Sequence, residues 1–374
     1  MKTKVVHITQ GFGGLFTYIK QIVKQIDKGS FELEIVAPEN KECRRFCEEN
    51  SIPYTVINLQ RGFNPFKDFV GLLKLYNFLN KKKPDLVHVH SAKAGFLGRI
   101  AAKLSGVKSI YTPHGISYLG FTGIKRTIFF SLEVFAKKYT ENVLACSESE
   151  KIRCVYEVGI PEKKVKVIPN SIEVNTTYPQ LKDTSKKLHI GTVARLTYAK
   201  NPVLFVEIAN RIKQIYPFAE FSVLGAGFTD DLKPKFLDTI SKYNLEESFT
   251  IHNWGSFSST EEYLNSLDFF LMPSIFEGLP FALLEAINEN ILCITSKCDG
   301  CCVVINNNEN GFSCMELDDY VEAIKKAVSN PQLNYRLRLQ AKKDLQEKYN
   351  LENFIVNLEN YYLSLKSDIT PEEA

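Results

Sequence analysis

Along the 374-residue chain, short β-branched runs alternate with longer stretches whose apolar residues recur every three to four positions. That alternation is the pattern of βα units around a parallel sheet. Strands buried on both faces read as short apolar runs, and the crossover helices between them bury a single stripe. KVVHIT at 4–9 precedes a helical LFTYIKQIVKQI, and FELEIVAP, PYTVINL, DLVHVHS, SIYTPHG and NVLACSE continue the series. Residues 167–187, VIPNSIEVNTTYPQLKDTSKK, carry no period and are rich in Pro, Asn, Thr and Lys, the composition of a connection. LHIGTVAR, EFSVLGAG, FTIHNWG, DFFLMPS and ILCITS then predict five strands of a second unit. The expected fold class is α/β with two doubly wound, Rossmann-like domains: 1–170, a linker at 171–187, and 188–351. In open parallel sheets the ligand lies beyond the carboxyl ends of the strands, so two such sheets facing each other are expected to frame a cleft.

No apolar run approaches the ~20 residues that a membrane-spanning helix needs, and the start, MKTKVVHITQGFGG, does not read as a signal peptide. A cytoplasmic protein is expected. Nine scattered cysteines in a chain of this size suit a reducing compartment better than a disulfide framework. CDGCC at 298–302 has no second pair at zinc-ribbon spacing, so no metal is expected there. His88 and His90 share one face of their strand, but the sequence offers no third ligand nearby.

The net charge of +3 conceals an asymmetry. Residues 1–170 hold 27 Lys+Arg against 15 Asp+Glu, or +12, and residues 171–374 hold 19 against 28, or −9. A basic first half suits an anionic surface or ligand; a lysine-rich solvated exterior gives the same count.

QGFGG at 10–14 falls where the first strand turns into its helix, and glycines there let backbone amides approach a phosphate; tight packing alone would also explain them. LGAG at 224–227 repeats the arrangement. GFGGLF lacks the third glycine of a dinucleotide fingerprint, which argues against a dehydrogenase. In SIFEGLPFALLEA, 274–286, the proline predicts a helix starting at Pro280. Glu277 then lies in the strand-to-helix loop and Glu285 in the second helical turn. A loop carboxylate can accept hydrogen bonds from sugar hydroxyls, and one on the helix can reach a ribose diol. A satisfied structural carboxylate fits Glu285 equally well. GTVARLTYAKNP, 191–202, places Arg195 at a strand end and Lys200 five residues on, two cations suited to a diphosphate. Two carboxylates for hydroxyls and two cations for a diphosphate describe a nucleotide sugar.

The E-x7-E of Glu277 and Glu285, the Arg-x4-Lys of Arg195 and Lys200, TPHG at 112–115 and the QGFGG turn occur together and in this order. In this the chain resembles the retaining glycosyltransferase family 4, of GT-B fold and bacterial surface-polysaccharide type, over nearly its whole length. The resemblance implies that Glu285 binds the donor ribose and Glu277 the hydroxyls of the donor sugar. It assigns Arg195 and Lys200 to the diphosphate, with Gly13, Gly14, Gly278 and Leu279 assisting. It puts His114 at the donor sugar, supporting the transition state, and implies a final helix over 352–366 that crosses back to the first domain. Transfer would retain anomeric configuration, with no metal or other cofactor and with a UDP-sugar favoured over a GDP-sugar. Two positions depart from the family pattern: Asn201, where many members have Gly, and CDGCCVVI in place of a glycine pair followed by a glutamate.

The acceptor is expected to be a saccharide, lipid-linked for preference, and nucleic acid is not an expected partner. FTGIKRTIFFSLEVFAKKYT, 121–140, is aromatic, helix-like and bears Lys125, Arg126, Lys137 and Lys138. It suits contact with the anionic inner face of the plasma membrane, or simply a helix packed on its own sheet. A sugar-nucleotide epimerase of the same two-domain shape is the rival enzyme, disfavoured by Arg195, Lys200 and the glutamate pair. A two-domain solute-binding protein is disfavoured by the free cysteines.

Overall fold

The computed structural model describes residues 2–11, 13–59, 62, 64–182, 187–226 and 232–367. Phe12 of QGFGG, Gly227 of LGAG and residues 183–186 of the expected linker lie outside the described residues. The chain forms two compact units, one from residues 1–170 together with Leu351 onward, the other from Ser171–Asn350.

Unit 1 is built on a seven-stranded, wholly parallel sheet of β1 (Thr3–Ile8), β2 (Phe31–Ala37), β3 (Tyr54–Val56), β4 (Leu86–His90), β5 (Lys108–Thr112), β6 (Asn142–Ala145) and β7 (Val165–Val167). Their order is β3-β2-β1-β4-β5-β6-β7. Every residue of β4 is buried, as expected of a central strand covered by helices on both faces. The strand order reverses between β1 and β4, so the loops that follow these two strands diverge and leave room for a ligand. The helix Leu351–Ser367 belongs to this unit: its Tyr361 and Tyr362 are buried, and the Tyr362 hydroxyl lies 2.7 Å from His88 Nδ1 on β4.

Unit 2 holds a six-stranded sheet of β8 (Leu188–Val193), β9 (Ala219–Ala226), β10 (Phe249–Asn253), β11 (Phe269–Met272), β12 (Leu292–Ser296) and β13 (Phe312–Cys314), again parallel throughout. The order is β10-β9-β8-β11-β12-β13, reversing between β8 and β11. Its core packs Phe205, Phe221, Phe236, Phe249, Phe269 and Tyr320 with aliphatic residues of the strands and helices. Residues 171–182 are held on this unit: Ile172 N donates to Tyr349 O at 3.0 Å, and Asn175 donates to Asn288 and Glu289.

Among the described residues no helix is long and apolar enough to cross a membrane. All nine cysteines are free, eight of them buried.

Candidate functional site

In unit 2 the predicted motifs converge on the reversal of the sheet. Arg195 and Lys200 follow β8; Glu277, Gly278, Leu279 and Glu285 follow β11, its neighbour. The two loops are tied by a backbone hydrogen bond from Ile275 N to Ala199 O of 2.8 Å, and by an ion pair between Lys200 Nζ and Glu277 Oε1 of 2.5 Å. Both side chains of that pair are largely buried. Arg195 is exposed, and Glu285 is half-buried.

The β8 loop is shaped by its own chemistry. Lys200 closes a 3-10 turn over Tyr198–Lys200, and Asn201 follows in the left-handed region at φ 49 before Pro202 opens the helix Pro202–Ile215. Asparagine is among the few residues that adopt this conformation without large strain, and proline presets the first helical turn. Asn201 therefore does the work of the glycine expected there. Beyond β11 the sequence predicts Pro280 as the first helical residue. Pro280 instead lies outside the helix, with ψ 122 as its N-cap, and the helix is Phe281–Asn288. A ring that fixes only φ leaves ψ free to stay extended for one residue more. Glu277 is in the loop and Glu285 in the second turn.

CDGCC wraps this loop. A Cβ on Gly300 would stand 2.5 Å from the Gly278 carbonyl oxygen and 2.7 Å from that of Glu277, so only glycine lets the turn lie against the backbone of the glutamate loop. Cys301 is fully buried and its Sγ lies 3.8 Å from Met272 Sδ. The cysteines thus fill space behind the loop.

In unit 1 the loops after β1, β4 and β5 gather the other predicted residues. Gly13 adopts φ 100 and caps the helix Gly14–Gln25, a conformation that favours glycine. Gln10 Oε1 accepts from Ala94 N at 3.0 Å, joining the QGFGG turn to the start of the helix Ala92–Leu104. That helix is capped by Ser91 at φ 63, ψ −171, a strained setting for a non-glycine residue directly after His90. His114 (φ 55) and Gly115 (φ 91) form a left-handed pair. The turn is clamped by buried Glu150: Gly115 N donates to its Oε1 at 2.7 Å and Cys146 N to its Oε2 at 2.8 Å. Burial raises the Glu150 pKa, and the two amides oppose that shift.

His114 is the half-buried end of a histidine cluster. Its Nε2 lies 3.1 Å from His90 Nδ1, and His90 Nε2 lies 3.0 Å from His7 Nδ1. The rings of His7 and His90 are nearly parallel at 5.3 Å. His88, beside them, is held by the Tyr362 hydroxyl at Nδ1 and by Thr112 Oγ1 at Nε2, both at 2.7 Å. His7 thus supplies the neighbour that the sequence did not offer to His88 and His90, and the three bring one ring nitrogen each within 4.8 Å of one another. Both nitrogens of His88 and of His90 are nevertheless engaged in hydrogen bonds. Desolvation pushes the His7 pKa down to about 3 and those of His88 and His90 well below the usual value, so the buried rings are neutral.

Glu150, Gln10 and His7 escape sequence reasoning. Ser147-x-x-Glu150 at the start of a helix is the one local signal, and the Ser147 hydroxyl does accept from Glu150 N at 3.1 Å.

Comparison with known proteins decides the family. The description Glycosyltransferase Family 4 matches residues 12–176, and Glycosyl transferases group 1 matches residues 175–344. The chain belongs to glycosyltransferase family 4. The transferase is 28% identical over 355 residues to the Escherichia coli UDP-Gal:alpha-D-GlcNAc-diphosphoundecaprenol alpha-1,3-galactosyltransferase, covering 89% of this chain and 90% of that one. It is 23% identical to the capsular polysaccharide biosynthesis glycosyltransferase CapM of Staphylococcus aureus, covering 91% and 92%. Among solved structures, Anabaena HepE in complex with UDP and glucose superposes with a TM-score of 0.81 at 17% identity, over 97% of this chain and all of that one. These likenesses give the transferase the GT-B fold of two Rossmann-like domains.

Proposed function

We propose that this glycosyltransferase moves a hexose from a nucleoside diphosphate sugar, UDP before GDP, to a lipid-linked saccharide of a cell-surface polysaccharide. The observation that carries the reading is the convergence of Arg195, Lys200, Glu277 and Glu285 on the β8–β11 reversal, where a doubly wound sheet binds its ligand. Arg195 and Lys200 would neutralise the leaving diphosphate, where negative charge grows as the sugar–phosphate bond breaks. The amides of Gly278 and Leu279 would assist, Glu285 would hold the ribose, and Glu277 the sugar hydroxyls. In unit 1, His114 is assigned to the donor sugar and the Gly13–Gly14 turn to the phosphates. Transfer without a metal follows from protein cations doing the neutralising, and retention of configuration from the resemblance to retaining family 4.

The lipid-linked acceptor draws support from the E. coli relative, whose name specifies a diphosphoundecaprenol substrate, and the uridine donor from the same relative and from HepE. The relatives are named for transfer, not for epimerisation. Membrane contact draws support from the helix Gly123–Ala136. Its Ile124, Ile128 and Phe135 are exposed and fall within about 40° of one another around the helix axis, with exposed Lys125 flanking that stripe and exposed Arg126 on the far side of the helix. The functional reading places the enzyme in the cytoplasm, on the inner membrane face.

The test is product analysis. Purified protein is incubated with UDP-hexoses and a polyprenyl diphosphate saccharide, with and without EDTA, and the new linkage is read by NMR. A new α-glycoside from an α-linked donor, formed equally in EDTA, is expected. An epimerised nucleotide sugar, an inverted linkage, or activity restored only by Mg²⁺ or Mn²⁺ would each overturn its part of the reading.

A further inference from the structure

His7, His90 and His114 form a run of three imidazoles joined by two hydrogen bonds of 3.0 and 3.1 Å. A neutral imidazole carries one proton, so each ring donates from one nitrogen and accepts at the other. Two hydrogen bonds across three neutral rings therefore leave two consistent arrangements, with every proton pointing one way or every proton pointing the other. The far end of the run decides between them. His7 Nε2 is buried and has no hydrogen-bond partner among the described residues. In one arrangement this atom is an orphaned N–H, in the other an unprotonated nitrogen with an unused lone pair. Among main-chain groups a buried N–H without a partner is rarer than an under-used acceptor, and by analogy the imidazole nitrogen follows the same ordering.

We propose that His7 and His90 are positioning residues that fix His114 as the neutral tautomer protonated on Nδ1. His7 Nδ1–H donates to His90 Nε2, and His90 Nδ1–H donates to His114 Nε2. His114 then keeps its single proton on Nδ1 and presents it from the half-buried end of the run. The surroundings hold the run in this state. Burial lowers the pKa of all three rings, Tyr18 packs edge-on against His114 with ring centroids 4.8 Å apart, and the Glu150 clamp fixes the backbone of the His114 turn. His114 is thereby a fixed hydrogen-bond donor and not a proton shuttle. Under the functional reading above, on which this consequence rests, that donor meets an oxygen of the donor sugar. The tautomer itself does not depend on that reading.

The experiment is long-range ¹H–¹⁵N correlation of the histidine rings in the full-length ¹⁵N-labelled protein at neutral pH, with His114 assigned by loss of its signals in His114→Gln. A protonated Nδ1 and an unprotonated Nε2 at His114 are expected. Two variants separate positioning from packing. His7→Leu removes the donor at the δ position, whereas His7→Asn keeps an N–H there. The Leu variant is expected to show His114 as a mixture of tautomers and to lose about tenfold in kcat at unchanged Kd for UDP, the scale of one hydrogen bond. The Asn variant should restore both the spectrum and the rate. An Nε2-protonated or cationic His114 in the wild-type protein overturns the proposal, and that spectrum suffices if His7→Leu does not fold. So does a His7→Leu spectrum identical to wild type, or a stoichiometric transition metal found in the purified protein by elemental analysis. A protein that shows the expected tautomer but transfers no sugar leaves the proposal standing and overturns the functional reading instead.

Discussion

Lys200 Nζ and Glu277 Oε1 stand 2.5 Å apart, joining the loops after β8 and β11 across the reversal of the second sheet. Two groups assigned by sequence to different parts of one ligand are thus already in contact with each other. Lys200→Ala leaves a largely buried carboxylate unpaired as well as removing a cation, and such a carboxylate destabilises its loop. The expected result is a fall of about 10²-fold or more in kcat/KM with a lowered Tm. The double variant Lys200→Ala/Glu277→Gln should regain part of the Tm but none of the rate. Single-variant Tm values that simply add would show that the pair is not coupled.

Glu285 lies one helical turn beyond the start of Phe281–Asn288, on the element rather than in the loop. Glu285→Ala should raise the Kd for UDP while Glu277→Ala mainly lowers kcat, measured by calorimetry and initial rates. Equal UDP affinity in wild type and Glu285→Ala would remove the ribose from Glu285.

Gly300→Ala places a methyl group against two backbone carbonyl oxygens of the glutamate loop, and backbone cannot step aside as a flexible side chain can. The loop must move, so donor KM should rise about tenfold or more while far-UV circular dichroism stays that of wild type. Asn201 offers the converse case. Asn201→Gly should leave the unfolding free energy within about 0.5 kcal/mol of wild type, whereas the β-branched Asn201→Val should destabilise by about 1–2 kcal/mol, since φ 49 is strained for it. Thermal unfolding of the two variants distinguishes them.

Stability should fall on mild acidification. His7, His88 and His90 have folded-state pKa values below the unfolded value of about 6.5. Below that pH the unfolded chain takes up protons that the folded one refuses. Each ring then contributes a slope of about 1.4 kcal/mol per pH unit, stability decreasing as pH falls from about 6.5 towards 5. Glu150 has the opposite sign, because its raised pKa lets the folded state gain a proton on acidification, but it is one group against these three and His114, whose pKa burial also lowers. Urea midpoints that stay flat between pH 7 and 5 would contradict neutral burial of the cluster.

If the helix Gly123–Ala136 meets an anionic membrane, binding to anionic vesicles should decline with salt and be absent on neutral ones. Ile124→Ser/Ile128→Ser/Phe135→Ser alters exposed positions only and should reduce sedimentation with vesicles while slow hydrolysis of the nucleotide sugar in solution continues. Unchanged sedimentation would indicate that another surface, or none, meets the lipid.

Eleven of the strands read directly from the chain because each carries three or more apolar or β-branched residues between turn signals. The two that escaped, β7 at Val165–Val167 and β13 at Phe312–Cys314, are three-residue edge strands. Edge strand β3 is equally short but sits in the longer apolar run PYTVINL, whereas β7 lies inside a lysine-rich stretch and β13 after NENG, where no such run surrounds them. The motifs of the second unit were legible because Arg195 to Lys200 and Glu277 to Glu285 are local spacings. The histidine run was not, since His7 and His90 are 83 residues apart and meet only because β1 and β4 are sheet neighbours.

The return of Leu351–Ser367 to the first unit makes that unit discontinuous in sequence while the second is an uninterrupted stretch. On a ribosome, all of Ser171–Asn350 emerges before Tyr361 and Tyr362 do, so the later-synthesised unit can finish folding first. Until then the first unit waits with His88 lacking its tyrosine and with the surface that the last helix covers open to water. A released chain that ended near residue 350 would therefore present a finished second unit and an unfinished first one, a state for a chaperone to hold or a protease to clear.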